Sequence, residues 1–86
     1  MSDKLNLEII TPSSVAFKGE ADMVSLPGSK SPFQVLNNHA PIVTSLEDGV
    51  LSVRNGSEET VFNTTKGFAE INKNVISVLV EKADIS

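Results

Sequence analysis

The amino-acid sequence predicts an all-β fold, an antiparallel β-sandwich or flattened barrel of about ten strands in a single domain spanning residues 1–86. The chain has 86 residues, well below the length at which chains usually split into two domains. Apolar and polar residues alternate with a period of two in most segments, which is the pattern of strands with one buried face. Turn signals recur about every 8 to 12 residues, and no segment requires a helix.

The first half of the chain alternates strands with turns. Leu5, Leu7 and Ile9 alternate with polar residues, so the first strand has one apolar face. Residues 11–14 end it, because Pro12 cannot donate to a strand ladder. Further strands are predicted over residues 15–19, 21–26, 31–36 and 41–46.

The second half is predicted to form two hairpins, residues 50–54 with 59–64 across Asn55-Gly56, and residues 67–71 with 75–81 across residues 72–74. Asn55-Gly56 is a dipeptide that tolerates the positive φ of a tight turn. Residues 82–86 are interpreted as the frayed end of the last strand.

One apolar pattern exceeds what a solitary sandwich needs. Residues 75–80 are apolar at both strand parities, and residues 40–43 with Leu46 are similar, although a two-layer sandwich has only one interior. Either some outward positions form an interface with a partner, or loops cover the outer side of a central strand. The pattern alone leaves both interpretations open.

Composition excludes several functional classes. Seven Lys and Arg against eleven Asp and Glu give a net charge of −4, which argues against nucleic acid as a partner. The chain has no Cys and one His, so neither disulfides nor a thiolate metal site are expected. No visible signal peptide and no apolar run of about 18 residues are present, so no membrane span is expected.

No catalytic site or cofactor is predicted. His39 is the only imidazole base, and a lone histidine in a turn is more often structural than catalytic. Glu58 and Glu59 are adjacent, so on a strand they face opposite ways and cannot act as a pair. Residues 64–67 lack the glycine-rich stretch and the helix of a phosphate loop.

Seven segments occur in a characteristic order, namely residues 7–12, 15–19, 24–27, 38–44, 46–51, 67–71 and 74–81. The most specific are His39-Ala40-Pro41 with the Ile-Val-Thr that follows, and Gly67-Phe68-Ala69-Glu70-Ile71. In this order the segments resemble the N-terminal β-sandwich of the ATP synthase epsilon subunit over roughly residues 5 to 83.

The resemblance implies a non-catalytic rotor subunit in the central stalk of a proton-translocating F-type ATP synthase. Such a subunit binds gamma and contacts the ring of c subunits, and it couples proton flow to ATP synthesis by turning with both. The implied partners are gamma, the c ring and the rest of the complex. The implied location is peripheral, at the cytoplasmic face of the bacterial inner membrane.

The resemblance also implies which residues face each partner. Candidates facing gamma are Thr11, Pro12, Pro41, Ile42 and Thr44, and Val78 is a further apolar position expected at that interface. Candidates facing the c ring are Lys30, Ser31, Pro32, Phe33 and His39. Pro32 stands where the family usually has an acidic residue, so the ion pair that this residue makes with the ring is not implied here.

Two other classes of function stay open. One is a small ligand-binding β-sandwich, which usually offers exposed aromatic platforms, whereas this chain has four Phe and no Trp or Tyr. The other is a hydrolase that uses His39. Members of the epsilon family usually continue into a C-terminal helical hairpin, and the sequence is predicted to lack that domain and its regulation.

Overall fold

A computed structural model of the chain describes residues 4–86. Residues 1–3, on which the single-domain prediction and the statement about a signal peptide partly rest, lie outside the described residues. The described part is built from β-strands, namely β1 (Leu5–Ile10), β2 (Val15–Ala21), β3 (Met23–Leu26), β4 (Phe33–Leu36), β5 (Ile42–Leu46), β6 (Gly49–Asn55), β7 (Glu58–Thr64), β8 (Gly67–Asn72), β9 (Val75–Val80) and β10 (Ala83–Ile85).

The strands form two five-stranded sheets that pack as a sandwich. Sheet I has the order β2-β1-β9-β8-β5, and sheet II has the order β10-β7-β6-β3-β4. The all-β sandwich prediction is confirmed, and the sheets stay separate rather than closing into a barrel. The expectation of purely antiparallel pairing is wrong at one place, because β1 and β9 run parallel. Strands that are distant in sequence are free to pair in this way, whereas hairpin neighbours are not.

The core lies between the sheets and follows the predicted alternation. Leu5, Leu7 and Ile9 of β1 are buried with Ile76 and Val78 of β9. The rings of Phe17 and Phe62 meet edge to face, with centroids 5.8 Å apart, and join sheet I to sheet II. Such an aromatic pair adds about 0.5 to 1.5 kcal/mol beyond its buried area.

Two predictions about the chain's turns and end need correction. The turn between β6 and β7 is centred on Gly56 and Ser57 rather than on Asn55-Gly56, because Asn55 already pairs with Glu58. Gly56 has a φ of 65°, which suits the first central position of a type II′ turn. Residues 83–85 are not a frayed extension of β9, since they form β10 and pair with β7 in the other sheet.

Asp22 fixes the corner where the chain passes from sheet I to sheet II. Its carboxylate accepts a hydrogen bond of 2.6 Å from the Gly56 backbone N–H and lies 2.9 Å from Lys4 Nζ. Its own N–H donates to Arg54 O over 2.7 Å. The Gly56 hydrogen bond, followed by the hydrogen bond and charge of Lys4, lowers the pKa of Asp22.

Gly67 lets β8 approach β9 more closely than any other residue would. A Cβ at this position would lie 1.9 Å from Leu79 O and 3.0 Å from Val80 Cγ1. Gly67 therefore sets the spacing of the two strands at the end of sheet I where Leu79 lies.

Candidate protein–protein interface

The outer face of sheet I carries a row of apolar side chains. Strand register aligns Phe68 of β8 with Leu79 of β9, Leu79 with Ile10 of β1, and Ile10 with Val15 of β2. Phe68 is 59% exposed, Leu79 50% and Val15 53%, and Ile10 is half-buried. These four residues, the apolar row, cross four strands without a polar interruption, and a contiguous patch of this kind marks an interaction surface.

A groove of about 640 Å³ adjoins the apolar row. Ile10, Pro12, Phe68 and Leu79 supply much of its apolar lining, and its charged residues are Glu47, Lys66 and Glu81. Thr11 lines it as well and closes the turn after β1, because its N–H donates to Ser14 O over 2.9 Å and its Oγ1 accepts from Ser14 N over 3.2 Å. This turn presents Pro12 to solvent beside the apolar row.

A polar row lies next to the apolar row on the same face. Register aligns Glu70 of β8 with Ser77 of β9, and Ser77 with Glu8 of β1. Ser77 and Glu8 are half-buried and Glu70 is exposed. Glu8 pairs in turn with Lys18 of β2. The face therefore places an apolar row beside a row that carries charges of both signs.

A second groove, the edge groove, lies beside β5. Its volume is about 370 Å³, and it is lined by residues that include Lys30, Ser31, Phe33, His39, Ile42 and Thr44. His39 Nδ1 lies 2.7 Å from Ala40 O, so it carries the proton and donates to that carbonyl. This bond gives His39 a structural role in the turn before β5.

The structure distributes the candidate residues over these two grooves. Thr11 and Pro12 lie in the first groove. Ile42 and Thr44, expected to face gamma, line the edge groove together with Lys30, Ser31, Phe33 and His39, expected to face the c ring. Pro32 and Pro41 are exposed and line neither groove.

The prediction that Val78 of β9 lies at the gamma interface is wrong, because its side chain is fully buried in the core. The outward residues of that strand are Val75 and Leu79, which are 47% and 50% exposed. Within residues 4–86 they are not covered by loops, which contradicts the loop-covered interpretation, and the interface interpretation stays a prediction. Ile10 and Phe68 belong to the apolar row but were not among the sequence candidates, although each lies at the parity opposite to its buried neighbours.

The described residues show neither a metal-binding cluster nor a membrane-spanning helix. No group of three or more His, Asp or Glu side chains within residues 4–86 is arranged to hold a metal ion. Over the same residues, no helix has the length and apolar character needed to cross a bilayer.

The β-sandwich is the feature that this chain shares with one family of known proteins. The family model described as the ATP synthase delta/epsilon chain beta-sandwich domain matches residues 4–85. The chain belongs to the ATP synthase delta/epsilon chain family. The match covers every strand of the structure.

Two curated relatives bear the name ATP synthase epsilon chain and differ in length. The relative from Leptospira interrogans (strain Fiocruz L1-130) is 40% identical over 80 residues, which cover 93% of this chain and 63% of that one. The relative from Caulobacter vibrioides is 39% identical over 80 residues, which cover 93% of each of the two chains. The chain thus spans less than two thirds of the Leptospira protein and nearly all of the Caulobacter protein.

Two chains in solved structures share the fold. A chain in the cryo-EM structure of the Euglena gracilis mitochondrial ATP synthase, comprising OSCP, F1 and c-ring, superposes with a TM-score of 0.92 at 18% identity and covers 99% of this chain and 55% of that one. A chain of the Tetrahymena thermophila central stalk and c-ring gives a TM-score of 0.80 at 17% identity, over 93% of this chain and 65% of that one. At these identities the likeness concerns the sandwich alone.

Proposed function

We propose that the chain is a non-catalytic rotor subunit in the central stalk of a proton-translocating F-type ATP synthase. It binds gamma, contacts the c ring and turns with both, so that proton flow is coupled to ATP synthesis. In a bacterium this places it peripherally at the cytoplasmic face of the inner membrane. Family membership supports the assignment to the complex, and the surface of the sandwich supports the way it docks.

The observation that carries the proposal is the apolar row of sheet I. Three of its four side chains are about half exposed or more, and leaving them in water forgoes about 25 cal/mol per Å² of apolar surface. Docking on gamma buries this row, together with the adjoining groove that contains Thr11 and Pro12. The charged residues of the neighbouring row, Glu70, Glu8 and Lys18, then lie beside the buried area, where charges set orientation and association rate.

The c-ring contact is assigned to the loop between β3 and β4 and to the turn before β5. Lys30, Ser31 and Pro32 are exposed, and Phe33 and His39 are half-buried. Of these residues, Lys30 supplies a cationic ammonium group with three hydrogen-bond donors. Polar loops of the ring are therefore the surface that this segment fits, with a hydrogen bond or an acidic group opposite Lys30.

A pair of matched substitutions tests the gamma-binding face. Leu79→Asp places a charge in the apolar row, and Val50→Asp places one on the outer face of sheet II at a residue that is 54% exposed. Both sites lie on strands with neighbours on each side. Size-exclusion chromatography with light scattering, followed by titration calorimetry, measures binding to the gamma subunit of the same synthase.

We expect the unmodified chain and Val50→Asp to form a one-to-one complex, and Leu79→Asp to bind at least about tenfold more weakly. Circular dichroism establishes that both variants are folded. Equal affinities for the two variants would reject the apolar row as the gamma-binding face. A folded chain with no affinity for gamma would reject the rotor function and leave a ligand-binding sandwich as the alternative.

A further inference from the structure

The turn between β6 and β7 contains a peptide bond that is held from both sides. This bond joins Asn55 to Gly56, the only Asn-Gly pair in the sequence. Gly56 N donates to Asp22 Oδ2 over 2.6 Å, and Lys4 Nζ donates to Asn55 Oδ1. Lys4 Nζ also lies 2.9 Å from Asp22 Oδ1. A single ion pair therefore contacts both the nitrogen of Gly56 and the side-chain carboxamide of Asn55.

These two groups are the reactants of asparagine deamidation. Gly56 N attacks Asn55 Cγ, the new N–Cγ bond closes a succinimide ring, and the N–H proton passes to water. Glycine has no Cβ to hinder this approach. The Cγ–Nδ2 bond then breaks, and Nδ2 takes up a proton from water and leaves as ammonia. Water adds to either ring carbonyl and leaves an aspartate or an isoaspartate, without any change of oxidation state.

The folded turn restrains the nucleophile. Asn55 pairs with Glu58 at the end of the β6–β7 ladder, and an extended backbone turns the Gly56 nitrogen away from the Asn55 side chain. Ring closure therefore needs rotation about the Cα–C bond of Asn55, which swings the Gly56 N–H away from Asp22 and breaks a charge-assisted hydrogen bond. The carboxylate of Asp22 also disfavours loss of the N–H proton, because a second negative charge would form beside it.

Lys4 acts in the opposite direction, on the electrophile. Its ammonium contacts Asn55 Oδ1, the atom on which negative charge develops when the nitrogen attacks Cγ. A hydrogen-bond donor at the position of developing charge lowers the barrier of such a step. Asn55 and Gly56 are exposed, so water has access to the ring. The site thus combines an activated carboxamide with a restrained nucleophile, and local opening of the turn controls its rate.

We propose that Asn55 is a site of self-deamidation in which Gly56 N is the nucleophile, Asp22 restrains it in the closed turn, and Lys4 stabilises the oxyanion once the turn opens. Either product adds a negative charge beside Asp22. An isoaspartate also lengthens the main chain of the turn by one carbon, which disturbs the alignment of β6 with β7. The reaction needs no partner, so it goes beyond the rotor function and does not depend on it.

The test follows deamidation of the full chain at neutral pH by peptide mapping with mass spectrometry. Asp22→Ala releases the nucleophile, and Lys4→Met added to Asp22→Ala removes the oxyanion donor. Ile76→Ala is the control that weakens the core of sheet I and leaves the turn intact. Asn63, which is exposed and followed by Thr, is the internal reference. Hydrogen exchange of the Gly56 amide in the unmodified chain reports the closed turn without any substitution.

We expect Asp22→Ala to deamidate at Asn55 at least about fivefold faster than the unmodified chain, with no change at Asn63. Adding Lys4→Met should slow this reaction by about threefold or more. The Gly56 amide should exchange more slowly than in a short peptide of the same sequence.

Three results would overturn the proposal. The first is a rate at Asn55 that Asp22→Ala does not raise, or that Ile76→Ala raises equally, since the reaction would then follow global unfolding. The second is a rate that Lys4→Met leaves unchanged, which removes the role of Lys4. The third is a Gly56 amide that exchanges as fast as in the peptide, which removes the restraint by Asp22.

Discussion

Single residues connect the packing of sheet I to the apolar row on its outer face. Leu79 contributes its backbone oxygen to the close approach at Gly67, and its side chain lies in the apolar row. A shift of β9 at this point therefore displaces a side chain of the apolar row as well as a backbone hydrogen-bonding group. Because Gly67 has no side chain, it allows the strand spacing that places Leu79 in the apolar row.

We expect Gly67→Ala to destabilise the domain by about 1 to 3 kcal/mol, since the new Cβ would lie 1.9 Å from Leu79 O. Urea unfolding followed by circular dichroism measures the change. Gly19→Ala is the matched control on β2, because a Cβ there meets only Phe17 ring atoms at 3.4 and 3.5 Å. Equal unfolding midpoints for the two variants would show that β8 and β9 can move apart at residue 67 without lowering the free energy of unfolding.

At the scale of elements, the corner between β2 and β3 depends on Asp22. Its side chain joins Lys4, which precedes β1, to the turn between β6 and β7. Because these elements belong to different sheets, the carboxylate links the two layers at the end of the sandwich where the chain crosses between them. The charge state of Asp22 therefore couples the packing of the layers to pH.

The contribution of Asp22 to the free energy of unfolding should decrease as the pH falls. Its folded-state pKa is lowered, so the stabilisation is complete above the unfolded pKa, about 3.9, and is lost as the pH falls through the folded pKa. The stability difference between the unmodified chain and Asp22→Asn should be present at about pH 7 and shrink at about pH 2. Chemical unfolding at both pH values measures it, with Glu58→Gln as an exposed control. A difference that persists in acid would contradict the role of the charge.

Most elements were predictable from local patterns, and the exceptions have a common cause. Alternation identifies β1, and turn residues locate the β8–β9 hairpin. The parallel pairing of β1 with β9 and the sheet assignment of β10 depend on contacts between distant segments, which no local pattern encodes.

The candidate site was predictable only in part. In β9 both parities are apolar, so alternation does not distinguish buried Val78 from exposed Leu79. The edge groove joins residues assigned to two partners because the loop before β4 folds back onto β5. Sequence order does not reveal that proximity.

The whole molecule is a thin sandwich in which the two faces of β9 differ. One face is buried in the core, and the other is mostly exposed. Inward residues such as Ile76 form a core that supplies most of the stability of a small domain, about 5 to 10 kcal/mol in total. Outward residues such as Val75 add little to folding and are available for binding. Stability and recognition are thus separated by strand parity.

Substitution of neighbouring residues on β9 tests this separation. Ile76→Ala creates a cavity at a fully buried site and should cost about 2 to 5 kcal/mol. Val75→Ala, at a residue that is 47% exposed, should cost less than about 1 kcal/mol. Thermal and urea unfolding of both variants provide the measurement. A similar loss for the two would mean that the outer face is part of the folding core.

The parallel pairing of β1 with β9 also determines the order of events during synthesis. β1 lies between β2 and β9 in sheet I, so one of its sides stays unpaired until the ribosome has released residues 75–80. The β1–β2 hairpin alone exposes its apolar face and is too small to be stable. Sheet I therefore cannot be completed before β9 emerges, and until then the nascent chain presents an open strand edge that is prone to wrong pairing.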